Sequence, residues 1–323
     1  MWPFIAAVVA GLALLVWSAD RFVHGAAATA RNLGVSPLVI GITIVGFGTS
    51  APEMLISAIA AWQGNPRLAL GNAVGSNIAN IALILGATTL VYPLSVHSQV
   101  LRRELPVMLG AMLSVVALSW DGALGRWEGL ALVLLMVLVL VGVTRTARRT
   151  REPDPLLREF AEEVPEQVGL RAALAWLGIG LVVLLAASRI LVWGAVGIAQ
   201  ALGVSDLIIG LTIVAVGTSL PELAASIAGA IKKEPDIVVG NVLGSNIFNT
   251  LAVLGIAAII RPVPVSETVV RRDYALMLGS ALVLWAIVHG WTGRHGHINR
   301  IEGALLLAGF VTYQAMLYHG ARA

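Results

Sequence analysis

Residues 41–86 and 210–255 repeat one another without a gap at a constant offset of 169, and 21 of the 46 positions are identical. The first copy reads GITIVGFGTSAPEMLISA and then GNAVGSNIANIALILG. The second reads GLTIVAVGTSLPELAASI and then GNVLGSNIFNTLAVLG. Upstream, Leu33-Gly34-Val35-Ser36 recurs as Leu202-Gly203-Val204-Ser205. Whatever the chain folds into must contain the same polar unit twice. How the two units are related depends on the chain between them.

That chain is apolar. Of 323 residues, 58% are hydrophobic and 12% charged, against about 25% charged in a soluble domain. So few charges cannot cover a soluble fold of this size. An ordinary soluble enzyme is excluded, and so is a nucleic-acid binder, because the net charge of +3 forms no basic stripe. With no cysteine, disulfides, thiolate metal sites and cysteine nucleophiles are excluded too. A bilayer core needs about 20 apolar residues per helix. Such runs predict an all-α polytopic membrane protein with ten transmembrane helices, near 2–19, 36–62, 67–91, 105–120, 127–144, 171–188, 205–231, 236–260, 274–291 and 301–318. Trp2, Trp17, Trp120, Trp127, Trp285 and Trp291 fall near proposed span ends, where amphipathic rings prefer to sit. Met1-Trp2-Pro3 offers no basic n-region, so the first span is expected to be a retained helix rather than a cleaved signal.

One stretch breaks the apolar rhythm. Residues 145–170 hold Arg145, Arg148, Arg149, Arg151 and Arg158 among acids from Glu152 to Glu166, with Pro153, Pro155 and Pro165. This predicts a solvated linker between a first half, 1–144, and a second, 171–323. With the amino terminus outside, 14 of the 21 Lys and Arg residues fall in the inner loops. Cytoplasmic loops hold such an excess, so both termini are expected on the extracellular or periplasmic face, with the linker cytoplasmic. Each half has five spans, an odd number. The second repeat therefore enters the membrane upside down relative to the first, a recurrent plan of secondary transporters.

The shared residues suit cation coordination rather than lipid. Thr49, Ser50, Glu53, Ser76, Asn77 and Asn80 recur as Thr218, Ser219, Glu222, Ser245, Asn246 and Asn249. Thr49 and Glu53, and Ser76 and Asn80, are i, i+4 pairs, so each pair is expected on one helix face. Pro52 and Pro221 lack an N–H and leave the carbonyls of Gly48 and Gly217 without a helical donor. In hydrocarbon such a carbonyl persists only in a protein-buried cavity or beside a ligand. Gly71 with Gly75, and Gly240 with Gly244, also read as helix-packing motifs. Ser and Thr alone would mean little, since in membrane helices they bond back to their own backbone. A mid-span carboxylate costs roughly 2.5–3.5 kcal/mol on insertion scales and is a functional-site hypothesis by default. Neither Glu53 nor Glu222 has a basic residue within its own span.

The paired G-T-S-x-P-E at 48–53 and 217–222, with the paired G-N-x-x-G-S-N-I-x-N at 71–80 and 240–249, resembles the cation/calcium exchanger superfamily, specifically its compact prokaryotic sodium/calcium exchangers. The resemblance covers the ten-span plan across essentially the whole chain. It implies a cation site formed by Thr49, Ser50, Glu53, Ser76 and Asn80 with Thr218, Ser219, Glu222, Ser245 and Asn249. Backbone carbonyls at Gly46 and Ala215 are the implied additions. It implies transported Ca2+ and Na+, no tightly bound cofactor, and a prokaryotic inner membrane as location. Independently, the candidate set is all oxygen, which suits calcium and sodium, and its lack of His and thiolate argues against zinc or copper.

Three other functions use similar residues. A proton/calcium antiporter could use the same two carboxylates. A cation channel would favour an open filter around a pore axis over one central pair. An intramembrane hydrolase needs a nucleophile–base pair or an H-E-x-x-H motif, and neither occurs.

Overall fold

A computed structural model describes residues 1–33, 50–95, 99–149, 168–232, 235–289 and 296–320. The chain opens with α1 (Trp2–Asn32), α2 (Ala51–Trp62) and α3 (Pro66–Val91). A two-residue strand β1 (Leu94–Ser95), α4 (Gln99–Leu118), β2 (Ala123–Leu124) and α5 (Arg126–Arg149) complete the first half. The second runs α6 (Leu170–Leu202), α7 (Asp206–Thr218), α8 (Leu220–Lys232) and α9, which starts as Pro235–Phe248 and ends as Leu254–Ile260. Then come β3 (Val263–Pro264), α10 (Ala275–Val288), β4 (His297–Ile298) and α11 (Arg300–Gly320). Among the described residues, five helices are long and apolar enough to cross a membrane, and a sixth if the bent pair α7–α8 is one span. The other expected spans carry α2, α4, α5 and α10. Of these, α2 and residues Glu104–Leu118 of α4 are shorter apolar helices.

The first helix of each half runs past its expected span, 2–19 and 171–188: α1 reaches Asn32 and α6 reaches Leu202. Asp20, Arg21 and Arg189 interrupt the apolar runs there, but the sequence beyond them, free of Pro, stays helical. The two rods lie antiparallel along each other. Gly11 meets Leu191, Gly25 meets Leu177, Gly180 meets Phe22 and Gly197 meets the Phe4 ring. Arg21 stacks over Trp176 at 5.0 Å. Helix also replaces the first part of the expected linker, as far as Arg149, while residues 150–167 lie outside the described set.

The inversion can be read from the small strands. β1 pairs antiparallel with β4, Ser95 opposite His297, and β2 pairs with β3, Leu124 opposite Val263. β1 and β2 sit at opposite ends of α4, a 20-residue helix about 30 Å long. β3, carried to the β2 end, is the repeat counterpart of β1. Equivalent segments therefore lie on opposite faces. The residues leading into β1 and β3, Tyr92 and Arg261, share one extended conformation, with φ of −142° and −148°. Glycines with φ of 92° and 71°, Gly122 and Gly296, turn the chain into β2 and β4. Because the chain has no cysteine, Tyr92→Cys and Arg261→Cys can be labelled singly in intact cells. A membrane-impermeant maleimide is expected to reach only one of them, and labelling of both from the same face would reject the inverted arrangement.

α3 and α9 form the centre. Leu68 to Ile78 of α3 is buried on every face, whereas α1 and α11 expose most of theirs to the lipid position. α3 crosses α7 with backbones in contact: a Cβ on Gly71 would collide with the Leu207 carbonyl, and one on Gly210 would lie 2.6 Å from the Leu68 carbonyl oxygen. The GxxxG spacing read at Gly71 and Gly75 thus serves packing, and its partner is the other half.

Candidate cation site

Ser50, just before α2, has the same backbone conformation as Ser219, which sits at the break between α7 and α8. Their φ, ψ values are −88°, 3° and −83°, 4°, and each carbonyl accepts the amide four residues on, Met54 at 3.2 Å and Leu223 at 3.0 Å. Pro52 and Pro221 start the helices beyond; proline suits a first helical turn because its missing N–H would be unpaired there anyway. The break bends α8 from α7 by 41°. Thr218 and Glu222 therefore flank a break, while the expected Thr49–Glu53 pair includes Thr49, which lies outside the described residues. Thr49 and Gly46, the counterparts of Thr218 and Ala215, lie outside the described residues.

The ten described candidates are all buried: Ser50, Glu53, Ser76, Asn80, Ala215, Thr218, Ser219, Glu222, Ser245 and Asn249. They come from both halves and meet. The Ser76 hydroxyl lies 3.5 Å from the Ala215 carbonyl oxygen and 3.4 Å from Thr218 Oγ1. Glu53 and Glu222 are within Coulombic range of each other, with Thr218 beside the former and Ser245 beside the latter. The Ala215 carbonyl already accepts the Ser219 amide at 3.1 Å and the Thr218 hydroxyl at 3.3 Å, so its helical bond is intact.

The decisive feature is what the carboxylates lack. Both oxygens of Glu53 and of Glu222 are buried with no hydrogen-bond partner, as are Ser50 Oγ, Ser219 Oγ, Ser245 Oγ and the whole side-chain amides of Asn80 and Asn249. Native interiors pair nearly all such atoms, and each exception asks for a reason. Asp273 is the contrast. Equally buried, it takes Arg272 Nε at 2.8 Å, Arg272 Nη2 at 3.1 Å and the Tyr313 hydroxyl at 2.9 Å. That cluster is closed and neutral. The Glu53–Glu222 pair instead leaves buried carboxylate oxygens without partners beside Thr218 and Ser245, an environment that suits a desolvated cation.

A match to the family model described as "Sodium/calcium exchanger protein" spans residues 3–145 and 172–319. The chain belongs to the sodium/calcium exchanger family. Like that family, it is a membrane cation antiporter and not an enzyme. It is 48% identical over 311 residues to the putative antiporter CaxA of Alkalimonas amylolytica, covering 96% of this chain and 97% of the relative. It is 45% identical over 317 residues to inner membrane protein YrbG of Escherichia coli K12, covering 97% and 96%. Among solved structures it is similar to the sodium-calcium exchanger NCX_Mj soaked with 2.5 mM Na+ and 10 mM Sr2+, with a TM-score of 0.64, 31% identity, and coverage of 97% and 98%.

Two features of this exchanger were not foreseen from the sequence. Asn80 lies in a π-helical segment, Ala79–Leu85, and Asn249 opens another, Asn249–Val253. A π-bulge widens the turn and re-aims side chains, and such bulges are frequent at functional sites. Nothing in the local composition announces it. The second feature is a pair of supporting asparagines. Asn72 Nδ2 donates to the Glu53 carbonyl at 3.3 Å and Ser57 Oγ at 2.9 Å; Asn241 Nδ2 donates to the Glu222 carbonyl and Ser226 Oγ, both at 3.4 Å. All four residues are identical between repeats, the signal by which they could have been found. One symmetry is broken. Asn77 Nδ2 donates to Thr250 Oγ1 at 2.8 Å, but Ile81 stands at the position equivalent to Thr250, and both polar atoms of the Asn246 side chain are unpartnered.

Proposed function

We propose that this exchanger moves sodium one way and calcium the other by alternating access at a single central site holding Glu53 and Glu222. The unpartnered, buried carboxylate pair supports the reading most. Two ionised carboxylates make the pocket −2, which one calcium or two sodium ions neutralise. Both cations need the same pair, so they compete, and competition with access to one face at a time makes exchange obligatory. Ser50, Ser76, Asn80, Thr218, Ser219, Ser245 and Asn249 supply neutral oxygens, with Thr49 and the Gly46 and Ala215 carbonyls completing the set. In this reading the chain divides into two five-helix halves, 1–144 and 171–323, joined by a cytoplasmic linker at 145–170, with both termini on the outer face of a prokaryotic inner membrane.

Calcium uptake into proteoliposomes under an imposed sodium gradient tests it. Uptake is expected to require the sodium gradient and to survive a proton uncoupler. Uptake that ignores sodium and follows an imposed pH gradient would make the chain a proton/calcium antiporter, and calcium flux independent of any counter-gradient would make it a channel.

A further inference from the structure

The Asn72 side chain is tied to both halves. Its donors reach the Glu53 carbonyl and Ser57, while Thr218 of the other half bonds Asn72 Oδ1 at 3.2 Å. The orientation of the amide follows from chemistry. A backbone carbonyl only accepts, so the nitrogen of Asn72 must face Glu53 and its oxygen must face Thr218. That oxygen also only accepts, as does the Ala215 carbonyl oxygen at 3.3 Å, so the Thr218 hydroxyl shares its one proton between these two acceptors, of which Asn72 is the nearer.

A hydroxyl has one proton and two lone pairs, and a cation is attracted to the lone pairs and repelled by the proton. The Thr218 hydroxyl sits beside the Glu53 carboxylate. If it donated to that carboxylate, its proton would occupy the space a cation needs. We propose that Asn72 is a positioning residue that draws the Thr218 proton away from the Glu53 carboxylate, leaving the threonine oxygen turned toward the cation. This rests on the reading of Glu53 and Thr218 as cation ligands. Because Asn72 also grips the backbone of Glu53, the ligand geometry of one half is set by contact with the other. Asn241 repeats the donor side of the arrangement at Glu222 and Ser226. As a second-sphere partner of a ligand, Asn72 acts on affinity without touching the ion.

The test is a double-mutant cycle on the full chain in detergent, read as the Ca2+ concentration needed to raise the melting temperature halfway to saturation. Asn72→Ala is expected to raise that concentration about 10-fold, the size of one well-placed hydrogen bond. In a Thr218→Val background the same change is expected to matter less than about 2-fold, because the proton it directs is gone. Ser57→Ala, which removes a partner of Asn72 without touching Thr218, is the control and is expected to stay within about 2-fold. If Asn72→Ala does not fold, Asn72→Ser, too short to reach Thr218, takes its place. Independent, multiplicative effects of the two substitutions, or an unchanged concentration for Asn72→Ala, would overturn the proposal. Stabilisation of the wild type by Na+ but not Ca2+ would reject the calcium reading while leaving the cycle measurable with Na+. Stabilisation by neither ion would reject both.

Discussion

Replacing either Glu53 or Glu222 with Gln is expected to abolish calcium transport while leaving a folded protein. Gln keeps the shape and one carbonyl oxygen but removes a charge, so the pocket falls from −2 to −1. Uncovering one charge of a buried pair costs about 3–5 kcal/mol, a loss of at least about 100-fold in calcium affinity. Stability without cations should move differently. Both carboxylates are buried, have no donor and lie within Coulombic range of each other, so neutralising one removes a repulsion and the ion-free variants should melt no lower than wild type. Calcium-induced stabilisation, which scales with affinity, should vanish. The measurement is the melting temperature in chelator and in excess calcium, beside uptake into proteoliposomes. Wild-type exchange by either variant would remove that glutamate from the site. A collapse of the ion-free protein would make it structural, as Asp273 is, where Arg272 and Tyr313 supply the partners.

Gly71→Ala is expected to be nearly as severe, although Gly71 bears no functional group. Its new methyl would collide with the Leu207 carbonyl and lie 2.9 Å from Leu211 N and 3.0 Å from Gly210 Cα. All three are backbone atoms, so α3 and α7 must separate. Overpacking of this kind costs about 1–3 kcal/mol. The separation also matters for the site. Ser76, one turn and a residue further along α3, is 3.4 Å from Thr218 Oγ1, and Asn72 is 3.2 Å from the same hydroxyl. Moving α3 loosens both contacts between halves, so transport should fall far more than the melting temperature would suggest. Gly75→Ala, placing its methyl 2.7 Å from Ala215 Cβ and 2.8 Å from Leu211 Cα, should behave alike. Gly110→Ala in α4 meets nothing within 4 Å and should leave uptake unchanged, with stability equal or higher by up to about 1 kcal/mol for the better helix former. Normal transport by Gly71→Ala would mean that the α3–α7 crossing does not hold the site together.

Much of this protein was legible as sequence because the bilayer limits the choices. A chain with 12% charged residues and long apolar runs must satisfy its backbone internally, which leaves helices. Duplication across an odd number of spans then requires inversion, and the paired strands β1–β4 and β2–β3 agree with it. The two glutamates stood out because an unpaired acid in a span is costly. Helix ends were less legible. Asp20 and Arg21 interrupt the first apolar run, but a long helix tolerates polar residues where a neighbouring rod takes them in, as α6 does when Trp176 lies under Arg21.

What only the tertiary structure decided is which atoms lack partners. Periodicity puts Glu53 and Ser76 within spans and Asp273 at the edge of one, but it reads each span alone. Whether a buried polar atom is satisfied depends on the helix that arrives beside it from a distant part of the chain. Asp273 meets Tyr313, 40 residues on, and is closed. Glu53 lies within Coulombic range of Glu222 and stays open. The π segments at Asn80 and Asn249 and the reach of Asn72 to Thr218 belong to the same class. The contacts among them join parts of the chain far apart in sequence, and local sequence carries no record of them.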